Sequence, residues 1–220
     1  MGRMRSFYAS MVGKKVVMGV TGLIGVGFVI AHSLGNLLVF RGPEAINSYS
    51  HFLKSTGELL WALRAVLIVS VILHVTAAVQ LTRQSRAARP IGYTKRESQV
   101  ATIASRTMRW GGALLLVFIV IHILHFTTGT LRPAGGFSST DVYANVVTSF
   151  RIWWVALFYV VSMVALGLHL FHGAWSSVRS IGVSPPSPRP LHRRLSLAIA
   201  VLVWAAFTSI PIAVFAGLVR

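Results

Sequence analysis

The stretch GVGFVIAHSLGNLLVF, residues Gly25 to Phe40, decides how this chain folds. It is the second half of an apolar run that begins at Val16, and about 20 such residues in a helix cross the hydrocarbon core of a bilayer. Its one ionisable side chain is His32. Burying an unpartnered polar group in hydrocarbon costs several kcal/mol by rough estimate. We therefore expect His32 to have a partner, whose nature bears on the function.

The composition predicts an all-α membrane protein. Of the 220 residues 55% are hydrophobic and 11% charged, whereas a soluble domain carries about 25% charged residues. Five stretches are long and apolar enough to span a bilayer: residues 16–40, 59–81, 110–128, 152–175 and 195–219. We expect a single domain over residues 1–220, a bundle of five transmembrane helices. The absence of cysteine excludes iron–sulfur ligands and covalent haem attachment on this chain.

The net charge of +17 indicates topology rather than a nucleic-acid partner. Fifteen Lys and Arg residues lie before the first span, between the second and third, and between the fourth and fifth. Five lie on the other side of the spans, and Arg64 lies within the second. Positive residues concentrate in cytoplasmic loops. The N-terminus is therefore predicted to be cytoplasmic and the C-terminus to lie on the opposite side.

Histidines occur in each of the first four spans, where ionisable residues are rare and usually functional. His74 and His169 lie nine and ten residues before Arg83 and Arg179, about 14–15 Å from the cytoplasmic charges at the helical rise. His32 and His122 lie further from theirs. Each of the two resulting levels has histidines from two helices. Two imidazoles at one depth can ligate a haem iron from both faces, so two levels suggest two haems.

Two of these spans carry a second histidine, and residue spacing alone leaves the choice of ligand open. His125 follows His122, and His172 follows His169, by three positions. Depth slightly favours His125 as the partner of His32. A repeated spacing favours His122, because His32 and His122 each follow a glycine, Gly22 or Gly112, by ten residues. Such glycines either let helices approach closely or leave room for a porphyrin edge. All four acidic residues lie outside the spans, which disfavours zinc or di-iron.

With these features the chain resembles a known family, the five-helix, single-anchor type of di-haem cytochrome b subunit. These subunits anchor succinate dehydrogenase and fumarate reductase (quinone) complexes in the membrane. The most specific pieces are IAHSLGNLLVFRGPEAINSYSHF (30–52), RWGGALLLVFIVIH (109–122) and LHLFHGAWSSVRSIGVSPPS (168–187). The resemblance implies that His74 and His169 ligate the iron of an inner, proximal haem b, and His32 and His122 that of an outer, distal haem b. His125 and His172 become side chains that support these ligands, or alternative ligands.

The resemblance also implies the setting. Partner subunits with FAD and iron–sulfur clusters would dock on the cytoplasmic face of a prokaryotic cell membrane. Electrons from succinate would pass through both haems to a quinone, with menaquinone expected, and fumarate reduction would run the same path backwards. The alternatives are a di-haem anchor of another quinone-linked dehydrogenase, of the hydrogenase or formate dehydrogenase type, and a haem-free transporter with a histidine proton relay.

Two further predictions concern the outer side. Arg64, near the outer end of the second span, either reaches the interface or contacts a propionate of the outer haem. The quinone is expected near the outer haem, where the segment after the first span gathers proton-transferring groups. We expect His51 and Glu58 to lie closest to the quinone, with Asn36 as a third candidate.

Overall fold

The computed structural model describes residues 7–88, 102–182 and 190–220. The seven helices described below are α1 (Met11–Asn36), α2 (Pro43–Ser55), α3 (Glu58–Ala87), α4 (Ile103–His122), α5 (Val142–Phe150), α6 (Trp153–Ser180) and α7 (Pro190–Phe215). A 3₁₀ turn (Leu37–Arg41) extends α1, and a π-helical turn (Ile123–Thr127) extends α4. Within the described ranges there is no strand. The prediction of an all-α fold is confirmed.

Five of these helices, α1, α3, α4, α6 and α7, are long and apolar enough to cross a membrane, as predicted. They extend beyond the predicted spans, mostly at the ends that are predicted to be cytoplasmic, because polar first and last turns are helical too. Many of their large apolar side chains are exposed, as lipid contact requires. Exposed tryptophans near the starts of α3 and α6 (Trp61, Trp153) and at the start of the predicted third span (Trp110) suit the two membrane interfaces. The arginines of residues 1–6, 89–101 and 183–189, which contribute to the predicted orientation, lie outside the described residues.

The packing places α6 at the centre of the bundle. It packs against α1, α4 and α7, and α3 packs against the other side of α1. By contrast, α1 and α4 share no extended interface within the described residues, and neither do α3 and α6. These two diagonal pairs are the ones that carry the predicted ligands.

Two short helices, α2 and α5, cover one end of the bundle and lie in segments between the predicted spans. Gly42, with a φ of +95°, and Pro43 at the first helical position start α2. Asp141 caps α5 by accepting the N–H of Ala144 at 2.9 Å. An apolar cluster around Val39, Val147 and Val214 joins these helices to α6 and α7. The outer end is therefore a second packed layer rather than a set of loops.

Candidate functional site

The four predicted ligands form two facing pairs. The ring centroids of His32 and His122 lie 5.9 Å apart with the planes at 85°, and those of His74 and His169 lie 6.1 Å apart at 58°. Two imidazoles whose nitrogens each bind one metal at about 2 Å have ring centroids about 6 Å apart. Each pair bridges helices that share no extended interface among the described residues, so the space between them is not closed by helix packing.

The glycines ten residues before the outer histidines show that the pairs lie at two levels. A Cβ on Gly22 would lie 3.3 Å from Cε1 of His74, and a Cβ on Gly112 would lie 3.9 Å from Cε1 of His169. Both glycines therefore face the inner pair, although their helices carry the outer pair. Ten residues of helix rise about 15 Å, which is the separation of the two levels along α1 and α4. Both glycines of the repeated spacing thus lie beside an imidazole, and only Gly22 is in close approach to one.

The surroundings of the rings fit haem ligation. Nδ1 of His74 lies 3.1 Å from the Met18 carbonyl and 3.2 Å from Oγ1 of Thr21. Such a bond orients a ligating imidazole and leaves its other nitrogen for the metal. Nδ1 of both His122 and His169 is buried without a partner. Beside His169, a mostly apolar cleft of about 310 Å³ lies between α4 and α6. No cluster of three metal-binding side chains occurs among the described residues. The donors present are two facing imidazoles at each level, the ligand set that a haem iron accepts on its two faces.

The second histidines of α4 and α6 lie in different environments. His125 is buried, with Nδ1 3.1 Å from the Tyr159 hydroxyl and Nε2 2.9 Å from Oγ of Ser149. Both of its nitrogens are occupied, and the ring facing His32 is that of His122. Depth alone, which favoured His125, therefore did not identify the neighbour of His32. His172 is half-buried and makes an edge contact with Trp175, with centroids 6.4 Å apart.

Arg64 is half-buried on α3, and its guanidinium carbon lies 4.9 Å from the ring centroid of Trp61, one turn earlier. This stack suits an interfacial arginine. It leaves the contact with a haem propionate as a prediction.

The quinone candidates all lie in the outer layer or beside it. Asn36 donates from Nδ2 to the carbonyl of His32 at 2.8 Å, one turn beyond the outer pair. His51 is exposed on α2, and Glu58, also exposed, begins α3. Nothing in the described residues brings their side chains into contact with each other. Their role stays a prediction.

The outer layer has its own polar anchor, which the sequence did not reveal. Asn47 of α2 donates to Oδ1 of Asp141 at 3.0 Å and accepts the N–H of Tyr143 at 3.1 Å. The N–H of Ala144 and the amide of Asn47 hold the pKa of the Asp141 carboxyl below its ordinary value. This anchor ties α2 to the start of α5, above the outer histidine pair.

Sequence reasoning also missed Tyr159 and Ser149, which hold His125. Tyr159 is 6% exposed and sits among the rings of Phe118, Phe126 and Phe150. Its position ten residues before His169 places it about 15 Å away along α6, at the level of the outer pair. That spacing was a signal that could have identified it.

The fold and the site together define an integral membrane protein with two half-buried imidazole pairs whose ring separations match those of bis-histidine metal ligation. The sequence is similar to the succinate dehydrogenase cytochrome b558 subunit of Bacillus subtilis (strain 168), with 26% identity over 200 residues, which cover 89% of this chain and 91% of that subunit. This similarity confirms the resemblance that the motifs indicated. No family model matches the chain, and no solved structure matches it.

Proposed function

We propose that this chain is the cytochrome b membrane-anchor subunit of a succinate:quinone oxidoreductase, respiratory complex II. The observation that carries the proposal is that histidines face each other in pairs at two depths of the bundle. The chain is also similar, over 89% of its length, to a succinate dehydrogenase cytochrome b subunit. In the direction of succinate oxidation the complex feeds electrons from the tricarboxylic acid cycle into respiratory electron transport. The chain resides in the cell membrane of a prokaryote.

The chain's own residues hold and separate two b haems. His74 and His169 are the ligands of the inner haem, and His32 and His122 those of the outer one. Each haem, when bound, supplies a one-electron carrier. The apolar helices keep water from the rings, and the ten-residue offset along α1 and α4 fixes a separation of about 15 Å between the levels. The basic residues at the cytoplasmic ends of α3 and α4 would face an iron–sulfur subunit, with a FAD-bearing flavoprotein subunit beyond it.

Absorption spectroscopy of the purified complex tests this function. We expect two b haems per chain, both reduced by succinate, together with copurifying flavin and iron–sulfur subunits. Reduction by hydrogen or formate and not by succinate would instead identify the anchor of another quinone-linked dehydrogenase. A complex with no Soret band would refute the proposal and leave a haem-free transporter.

Quinone reduction belongs on the outer side in this proposal, with menaquinone as the expected substrate. Reducing a quinone takes two protons as well as two electrons, and His51 and Glu58 are exposed groups that can transfer protons from the outer phase. Asn36 lies nearest to the outer pair and offers a hydrogen bond.

Alanine at His51 or Glu58 is expected to slow succinate–quinone turnover. Both haem spectra and succinate–dye activity should stay unchanged, because the electron path upstream is intact. Glu44→Ala is the matched control, an exposed acid on α2. Turnover that survives both changes, and falls instead on altering the cytoplasmic ends of the helices, would place the quinone on the inner side.

A further inference from the structure

The imidazoles of the two pairs are oriented in different ways. In the inner pair, hydrogen bonds to Met18 and Thr21 fix the ring of His74, whereas Nδ1 of His169 is buried and unpaired. In the outer pair neither ring has a hydrogen-bond partner among the described residues, and Nδ1 of His122 is buried and unpaired. A ligating histidine usually donates its second N–H to an acceptor that sets the ring plane. The plane of His122 must therefore be set by packing.

Three aromatic rings besides His32 pack on His122. Phe118 and Phe126 lie one turn to either side on the same helical segment, with centroids at 5.5 and 5.7 Å. They move with His122 and cannot fix its plane relative to the rest of the bundle. Tyr159 comes from α6, with its centroid 6.1 Å from His122 and the planes at 59°. Of these three rings, only Tyr159 can fix the plane of His122 relative to another helix.

Tyr159 is itself held by a series of hydrogen bonds that begins at His125, in the turn that extends α4. Its hydroxyl lies 3.1 Å from Nδ1 of His125, and Nε2 of His125 lies 2.9 Å from Oγ of Ser149 on α5. The π-helical turn from Ile123 to Thr127 contains His125. Single π turns often mark functional places in helices. Here the turn carries an imidazole that joins α4, α5 and α6.

We propose that Tyr159, anchored through its hydroxyl to His125, is the positioning residue that fixes the ring plane of His122 and its near-perpendicular angle to His32. The inference rests on the proposed function, because it takes His122 as a haem ligand. The angle between two axial imidazole planes controls how far the dxz and dyz orbitals of low-spin ferric iron split. Perpendicular planes keep two orbitals nearly equal in energy and give a large maximum g-value in the electron paramagnetic resonance spectrum. Packing around the ligand is thus one of the protein's means of tuning the outer haem.

The test is Tyr159→Phe in the full complex, which keeps the aromatic ring and removes the bond to His125. We expect both haems to be retained and the inner haem signal to be unchanged. The maximum g-value of the outer haem should fall as its ligand planes relax, and its midpoint potential should shift. Tyr159→Leu, which also removes the ring, should produce a larger change in the same direction. The matched control is Tyr143→Phe, which removes a tyrosine hydroxyl in the outer layer that donates to the Arg220 carbonyl.

Wild-type g-values and potential for the outer haem of Tyr159→Phe would overturn the inference, as would equal shifts in both haems. If Tyr159→Phe does not assemble, Ser149→Ala gives the same test, because it releases His125 from the other side and leaves Tyr159 in place. A wild-type complex without haem would refute the proposed function instead, so the two failures are distinguishable.

Discussion

Gly22 offers a sharp test of the two-level arrangement, because it lies on the helix of the outer ligand but faces an inner one. A Cβ at this position would lie 3.3 Å from Cε1 of His74 and 3.3 Å from Oγ of Ser177. Ordinary carbon contacts begin at about 3.5 Å. A side chain at position 22 must therefore displace the imidazole of His74, and Gly22→Val should weaken the inner haem selectively.

The size of the effect follows from two opposing terms. Replacing a mid-helix glycine by alanine stabilises the helix by roughly 0.5–1 kcal/mol, and the β-branched valine stabilises it by less. Extra methyl groups forced into a packed site cost about 1–3 kcal/mol. If the overpacking appears mainly as displacement of His74, binding of the inner haem weakens by roughly 5- to 150-fold. Gly27→Val on the same helix is the control, because a Cβ at position 27 would meet nothing within 4 Å.

The measurement is the haem-to-chain ratio, combined with a redox titration of the purified complex. Gly22→Val should lose the component that His74→Ala loses, and Gly27→Val should retain both. Gly112→Ala should be tolerated, because its Cβ would make only an ordinary contact, at 3.9 Å from His169. Loss of the component that belongs to His32, or no loss at all, would refute the placement of Gly22 against the inner pair.

Three further experiments test other parts of the site. His122→Ala should remove the outer haem while His125→Ala retains both haems, since both nitrogens of His125 are already bonded within the protein; the reverse result in haem analysis would exchange their roles. Arg64→Gln should lower the midpoint potential of the outer haem by removing a positive charge near its propionates, whereas unchanged potentials would leave only the stack on Trp61. The pKa of Asp141 is lowered from 3.8, so the ionised carboxyl stabilises the outer layer above that pH, and this contribution is lost as the pH falls through the folded-state pKa. Thermal unfolding of the wild type in detergent should show that loss, and Asp141→Asn should not.

The sequence predicted the long helices and the two levels of histidines because both follow from one-dimensional quantities, the length of an apolar run and the distance to the nearest charge. It failed for α2 and α5, because short helices with mixed polarity depend on packing against the cluster around Val39 and Val147. It could not choose between His122 and His125 by depth, since the π-helical turn changes the direction of His125 without a recognisable signal. The structure distinguishes His122 from His125 by the contacts of their ring nitrogens: both nitrogens of His125 have partners, and Nδ1 of His122 has none.

The ten-residue interval extends to all four histidine-bearing helices and explains why one bundle can separate two sites. On α1 and α4, which by the predicted topology run outward, the residue ten before each outer histidine lies at the inner level and is a glycine. On α3 and α6, which run inward, the residue ten before each inner histidine lies at the outer level, and these residues are Arg64 and Tyr159. Each helix thus carries a histidine at one level and a residue of a different kind at the other. These other residues are small at the inner level, where they approach imidazoles, and large at the outer level, where Tyr159 packs on His122. Because of this asymmetry, the two histidine pairs have different surroundings although the helices that carry them are nearly equivalent. We therefore expect the two haems to differ in midpoint potential.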